Sequence, residues 1–560
     1  MKEILKKRKG LRYILLSGIV VVAGGLFMAA SNPDFALGRN LQILFNLFRE
    51  LNLMYVDPVD PDKMLEDAAE GMVSRLDPYT ELIPESEMSD FEIMTTGKYG
   101  GMGAMIRKSG DYVMIAQPYR GFPADKAGLV IGDLLLEVDG QDIKGMEVTD
   151  VSALLKGAPG TPLKLKVRKL LSGETEEVTL KRERITISGV TYSGMVADSI
   201  GYIAHSDFTE DCSSDIRNAF MSLKKQGMKA LILDLRSNGG GILQEAVKIL
   251  SMFVPKGTEV VRMQGRQKQS DATFITQNDP IDTEIPLVVL VNSSSASASE
   301  IVSGALQDLD WAVLIGQRTF GKGLVQSTLP LGYNAYVKLT TAKYYIPSGR
   351  CIQAIDYAHR AEDGSVDAVP DSLIREYTTR QGRKVYDGGG IMPDIRIPAS
   401  YYSNFAIALY NNGFIEDFAN EYYKRHREGV DVDTFALSDA EYQDFVHFMA
   451  DKTVDFESET KEALDQLRKK AERDKYLDRI SEELTAIENK IQEDKQSDLT
   501  AFREDITRLI EGEILLRYHY KEGVARHNLP TDPGVTEAVK LLNDSARYQQ
   551  ILTSQDTERK

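Results

Sequence analysis

From residue 185 onward, short apolar runs that read as strands (230–235, 287–291, 312–315) alternate with segments of helical periodicity (214–225, 243–253). Alternation of this kind is the mark of an α/β core, in which helices cover a sheet. The flanking regions follow other patterns. Between 41 and 76, apolar residues recur at helical spacing (Leu44, Leu47, Phe48, Leu51, then Leu65, Ala68, Ala69, Met72) and are interrupted by Asp57-Pro58 and Asp60-Pro61, which predicts two or more short helices. From 98 to about 183, alternating runs at 112–116, 134–138, 163–167 and 176–180 lie between Gly and Pro turns, the pattern of a small β-rich domain. Beyond 398 the chain turns helical and heavily charged, and runs such as 468–473 suit solvated helix faces. A chain of 560 residues needs several such units. We divide it into a leader (1–32), a helical segment (38–95), the β-rich domain (96–184), the α/β core (185–398) and a helical C-terminal extension (399–560).

Charge and composition remove whole classes of function. A net charge of −17 argues against nucleic acid as a partner, because phosphate binding needs a basic surface. Cys212 and Cys351 define no disulfide framework, although one bridge between them stays open. The six histidines form no HExxH and no zinc-like pair, so a metal or other cofactor has no support. At the N-terminus, Lys6, Lys7, Arg8, Lys9 and Arg12 precede an uncharged apolar run over 13–30 that ends in small residues. This is the layout of an export signal. Its length of about 18 residues fits both a membrane anchor and a cleaved signal peptide. The basic flank stays cytoplasmic, so the rest of the chain is expected in the periplasm or cell envelope.

The chemistry concentrates in the core. Residues 290–300 read Leu-Val-Asn-Ser-Ser-Ser-Ala-Ser-Ala-Ser-Glu, an apolar strand, a turn of small residues and then a helix through Ile301, Val302, Ala305 and Leu306. Small neighbours leave room for a substrate backbone, and a helix N-terminus offers N–H groups to a developing oxyanion. A Ser-rich helix cap explains the same residues taken alone. A second element, Thr319-Phe320-Gly321-Lys322-Gly323, sets a lysine between glycines that permit a tight turn, with Gln326 four residues on. Lysine serves as a general base only when neutral near pH 7, which a desolvated site favours. In a third, Asp234-Leu235-Arg236-Ser237-Asn238-Gly239-Gly240-Gly241, a strand runs into a glycine-rich loop whose backbone suits close approach to an oxyanion. No GxxxxGK[ST] phosphate loop is present.

Together these residues resemble the active-site signature of the carboxy-terminal processing peptidases, the tail-specific proteases. The middle serine of that family's triplet matches Ser297, and its lysine, 25 residues downstream, matches Lys322. The resemblance implies Ser297 as nucleophile, Lys322 as general base, Gln326 as its assistant, and an oxyanion hole from the N–H groups of Gly240 and Ala298. Gly239 stands where relatives carry proline. Matches at 339–350 and 390–395 extend the likeness through the core and are assigned structure, not chemistry. The implied fold is a multidomain α/β protein with a crotonase-like peptidase core.

Tyr99-Gly100-Gly101-Met102-Gly103-Ala104, with 124–129 and 132–140, resembles a PDZ domain. Such a domain takes a peptide by strand addition and holds its terminal carboxylate on loop N–H groups, here assigned to Gly101, Met102, Gly103 and Ala104. The function implied is a serine endopeptidase that cleaves proteins near accessible C-termini. Its partners are protein or peptide substrates, the membrane if the leader is uncleaved, and a second copy if it oligomerises. Three rivals remain at this stage: a non-catalytic scaffold that binds C-termini, a crotonase-like binder of an apolar or thioester ligand, and a Ser-His-Asp hydrolase using His205 or His359.

Overall fold

The computed structural model describes residues 33–360, 365–454, 459–491 and 495–553. The basic flank and apolar run of 1–32 lie outside them, and no helix among the described residues is long and apolar enough to cross a membrane. The chain divides into one unit made of the N-terminal residues to Glu85 with 328–339, and a second made of 86–327 with 340 onward.

In the first unit, helices Pro33–Met54 and Pro61–Val73 flank the Asp-Pro interruption. Asp60 caps the second helix through the N–H groups of Asp62 and Lys63, and Pro61 occupies its first turn, where a missing N–H costs nothing. The first helix is longer than expected. It leaves Leu41, Phe45, Leu47 and Leu53 exposed. Strand Glu81–Ile83 pairs antiparallel with residues 336–338 at a hairpin tip, where Glu81 also binds Lys338 at 2.7 Å.

The second unit starts with the β-rich domain. Strands Ala104–Ser109, Tyr112–Pro118, Leu134–Val138, Pro162–Arg168 and Thr175–Lys181 form one sheet in that order, closed over Val113, Ile115, Leu135, Val151, Leu163 and Val167. Alternate residues of each strand supply this core, as the period-2 pattern required. Ala104–Ser109 pairs on one side only and forms the sheet edge.

The α/β core is a six-stranded sheet in sequential order: β1 (Val190–Ala197), β2 (Ile200–His205), β3 (Ala230–Asp234), β4 (Leu287–Val291), β5 (Val313–Gly316) and β6 (Ile395–Arg396). The β1–β2 pair is antiparallel and the rest are parallel. Its apolar runs are buried on both faces. Leu231, Leu233, Val289, Val291 and Leu314 meet helices α1 (Cys212–Lys225), α2 (Leu243–Leu250) and α3 (Ala298–Asp308). Ile232, Val288, Leu290, Val313 and Ile315 point the other way.

That second face is covered by the C-terminal extension. Its helices include α4 (Phe414–Arg425), α5 (Arg503–Asn528), α6 (Pro533–Asn543) and α7 (Ser545–Thr553). Val535, Ala538 and Leu541 of α6, with Tyr548 and Leu552 of α7, join the sheet's cluster. The earlier part has its own core of Phe405, Ile415, Phe418, Tyr442, Phe445, Ile506, Ile510 and Ile514. The charged segment at 461–473 is mostly exposed, as its sequence implied. Glu416 of α4 pairs with Arg107 on the edge strand of the β domain. Tyr520 of α5 donates to Asp125 at 2.5 Å and carries Arg120 over its ring. Cys212 and Cys351 are free thiols.

Candidate active site

Three loops, 235–242, 292–297 and 317–323, leave the carboxyl ends of the adjacent parallel strands β3, β4 and β5. This is the end of an open α/β sheet where ligands bind. The loops are laced together by short polar side chains. Ser295 Oγ donates to Leu235 O at 2.8 Å and Ser299 Oγ to Asn238 O at 2.9 Å. The Ala296 N–H reaches Asn238 O at 3.0 Å, and Phe320 N–H reaches Ser295 O at 3.0 Å. Asn238, fully buried, donates to His205 O.

Ser297 sits at the N-cap of α3 with φ +55 and ψ −114. That backbone conformation is sparsely populated for a residue with a side chain and marks a sharp strand-to-helix turn of the kind that presents a nucleophile. The helix-cap and nucleophile readings of this serine are therefore compatible. Ala298, buried, opens the helix, where its N–H has no carbonyl partner one turn earlier. Gly240, at φ +99, lies directly against this turn. A Cβ placed on it would stand 2.7 Å from Ala296 O, 2.7 Å from Ser297 Cβ and 2.9 Å from Ala298 N. Only glycine fits there. Its own N–H donates to Asn238 Oδ1 at 2.9 Å, so in this conformation it is held within the loop.

Lys322 is half-buried in the third loop, between Gly321 at φ +88 and Gly323. Its backbone is tied to that of Ser297 through Glu300. This fully buried carboxylate accepts the Ser297 N–H at 2.8 Å and the Lys322 N–H at 2.9 Å on one oxygen. The other oxygen accepts Gly321 N–H at 2.7 Å and Thr319 Oγ1 at 2.6 Å. Burial pushes the Glu300 pKa up to about 7, against the lowering effect of its four donors. Tyr344 adds a second tie, its hydroxyl donating to Lys322 O at 2.5 Å and lying 3.3 Å from Ser297 O. Gln326 is on the strand Leu324–Gly332 and donates to Thr340 Oγ1 at 3.0 Å.

The histidines stand apart from this chemistry. The ring of His205, buried among apolar groups that push its pKa down to about 4, contacts Gly189 O and Cys212 Sγ. His359 is exposed and pairs with Asp356. In the β domain, Met102 and Gly103 turn their carbonyls to the N–H groups of Ala124 and Tyr119, and the Met102 side chain fills the core. Gly103, at φ +74, leaves no space for a Cβ against Phe122. Gly101 ends strand Lys98–Gly101 and Ala104 begins the edge strand.

The family model of peptidase family S41 matches residues 199–361. A carboxy-terminal-processing protease of Bartonella bacilliformis is 34% identical over 347 residues, covering 61% of this chain and 79% of that one. The chain belongs to peptidase family S41. It is a serine peptidase hydrolase of the carboxy-terminal processing type. Further models match a PDZ domain at 114–169 and the C-terminal helical domain of probable PDZ-proteases at 405–542. Among solved structures, a photosystem II D1 C-terminal processing protease is 30% identical, covers 63% of this chain and 86% of its own, and superposes with a TM-score of 0.34. The PDZ domain of a carboxy-terminal protease from Vibrio cholerae, solved with a peptide, is 30% identical over 16% of this chain and 99% of that domain, with a TM-score of 0.15.

In this S41 peptidase the sequence pattern alone did not disclose Glu300, Tyr344 or Asn238 as parts of the site. A signal for Glu300 exists: Ser followed by Glu three residues later at a helix start is the capping-box spacing, which predicts its bond to the Ser297 N–H. Nothing in that spacing foretells its bonds to Gly321 and Lys322.

Proposed function

We propose that this peptidase cleaves proteins near their C-termini in the cell envelope, through a Ser297–Lys322 dyad, with the PDZ domain capturing the substrate's C-terminus. The observation that supports the dyad is the single Glu300 oxygen shared by the Ser297 and Lys322 amides, which ties the backbones of the two residues together. Neutral Lys322 takes the Ser297 hydroxyl proton as Oγ attacks the peptide carbonyl carbon. The oxyanion accepts the Ala298 N–H and, once substrate displaces its bond to Asn238, the Gly240 N–H. The lysine proton passes to the leaving amine as the C–N bond breaks. Water then attacks the acyl-serine ester and gives a proton to the lysine, which passes it to Ser297 Oγ as the ester C–O bond breaks, releasing the carboxylic acid and restoring the serine hydroxyl and neutral Lys322.

The basic flank and apolar run before residue 31 support export, with the N-terminus kept in the cytoplasm and the body anchored at the inner membrane or released. The open edge of strand Ala104–Ser109, next to the loop 101–104, supports capture of a peptide by strand addition. The test is cleavage of a flexible, apolar-ended protein by wild type and Ser297→Ala, with and without a competing C-terminal peptide. Loss of cleavage in Ser297→Ala with an unchanged fold supports the dyad, and undiminished cleavage refutes it. A competing peptide that leaves cleavage untouched refutes the PDZ role.

A further inference from the structure

The glycine loop is held from its far side by the C-terminal helical tail. Arg236, the residue just before this loop turns, directs Nε and Nη2 at the Asp234 carboxylate at 2.6–3.0 Å, closing the end of β3 into a tight turn. Its other terminal nitrogen donates to both oxygens of Asp532 at 3.0 and 2.8 Å. Asp532 belongs to the tail: it is the N-cap of α6, where Oδ1 also accepts the Val535 N–H at 2.9 Å. Tyr202 completes the group by donating to Asp234 at 2.6 Å. Immediately beyond Arg236 the backbone takes φ +58 at Ser237, whose N–H donates to Asn292, and three residues later Gly240 meets Ser297.

We propose that Asp532 is a positioning residue for the peptidase reaction, acting through Arg236 to set the glycine loop against Ser297. Three features give the contact this role. The guanidinium is a planar fork, so two carboxylates placed on different edges fix its orientation as well as its charge. It sits at the pivot of a loop whose strained residues, Ser237 and Gly240, follow directly in sequence. The loop's other polar anchors come from the nucleophile side, at Asn292, Ser295 and Ser299, and from the end of β2, at His205 O and Phe208, so the tail supplies a third hold, at the start of the loop. A misplacement of about 1 Å in such a loop costs on the order of 100-fold in rate without weakening substrate capture. The proposal rests on reading Ser297 and the glycine loop as the reaction centre.

The test uses the full chain carrying Asp532→Ser or Asp532→Glu. Serine still caps α6 but cannot reach Arg236, whereas glutamate restores the charge. The readouts are kcat and KM on a flexible peptide, affinity for a peptide boronate that forms a tetrahedral adduct on a serine, and the thermal midpoint. Asp532→Ser is expected to lower kcat about 10- to 100-fold, weaken the boronate by a similar factor and leave KM and the midpoint unchanged, with Asp532→Glu recovering most of both losses. Wild-type kcat and boronate affinity in Asp532→Ser overturn the proposal, as does a loss that glutamate fails to restore or that follows the unfolded fraction. Boronate binding that survives Ser297→Ala overturns the underlying reading of the site, and is told apart because it appears with Asp532 intact.

Discussion

Ser297 holds a backbone conformation that costs about 1–3 kcal/mol, and the bonds of Glu300 and Tyr344 to its amide and carbonyl are what keep it there. Replacing Glu300 by glutamine puts an NH₂ group where at least one of four donors now points. The expected result is a fall in kcat of about 100-fold or more with loss of about 1–3 kcal/mol of stability, measured by steady-state cleavage and urea unfolding. Two buried groups also give stability a defined pH dependence. The Glu300 pKa rises from 4.5 to about 7 on folding, so its contribution is full below pH 4.5 and is lost as pH climbs through 7. That of His205 falls from 6.5 to about 4, so its contribution is full above 6.5 and is lost as pH drops through 4. Each is worth about 3 kcal/mol, and between pH 4.5 and 6.5 they oppose one another. In Glu300→Gln the His205 slope is therefore unmasked, with stability falling toward acid, and His205→Gln shows the reverse; urea titrations across this range check both. Ser297 stood out in the sequence as a candidate because two motifs and their spacing agreed. Glu300 was not, because a glutamate in the first turn of a helix is ordinary and its other partners arrive from a loop some twenty residues further on.

The loops owe their positions to the strands that deliver them. β3, β4 and β5 were readable as short apolar runs because both of their faces are buried, so no polar alternation interrupts them. The glycine loop was readable as a close-approach segment, and the geometry explains which glycine matters. Gly240→Ala drives a Cβ into Ala296 O and the Ser297 turn at a positive φ, whereas the space around Gly239 is open. Kinetics of the two variants should separate them: a loss of two or more orders of magnitude in kcat for Gly240→Ala, and a small effect for Gly239→Ala. Less legible was the partner of each amphipathic tail helix. The apolar stripe of Val535, Ala538 and Leu541 says that one face of α6 is buried, but the face it covers is a sheet more than two hundred residues earlier, which periodicity does not encode.

Across the second unit, the tail touches both the PDZ domain and the core. It meets the PDZ domain through polar contacts at Arg107, Arg120 and Asp125, and the core through an apolar layer. The two seams should respond differently to change. Tyr520→Phe removes one half-buried hydrogen bond and is expected to cost about 1 kcal/mol, read by thermal unfolding. Deleting residues 529–560 bares Ile232, Val288, Leu290, Val313 and Ile315 together and is expected to abolish soluble, active enzyme, read by gel filtration and cleavage.

The layer formed by α6 and α7 also sets a clock on the enzyme's birth. The strands and the three loops that carry the candidate site all precede residue 400, whereas the helices that close the sheet and the carboxylate that grips Arg236 follow residue 530 and are synthesised after them. A nascent chain thus carries Ser297 through part of its synthesis with one face of the sheet bare. Closing that face waits for α6 and α7, whose apolar residues follow Ile315 by more than two hundred positions.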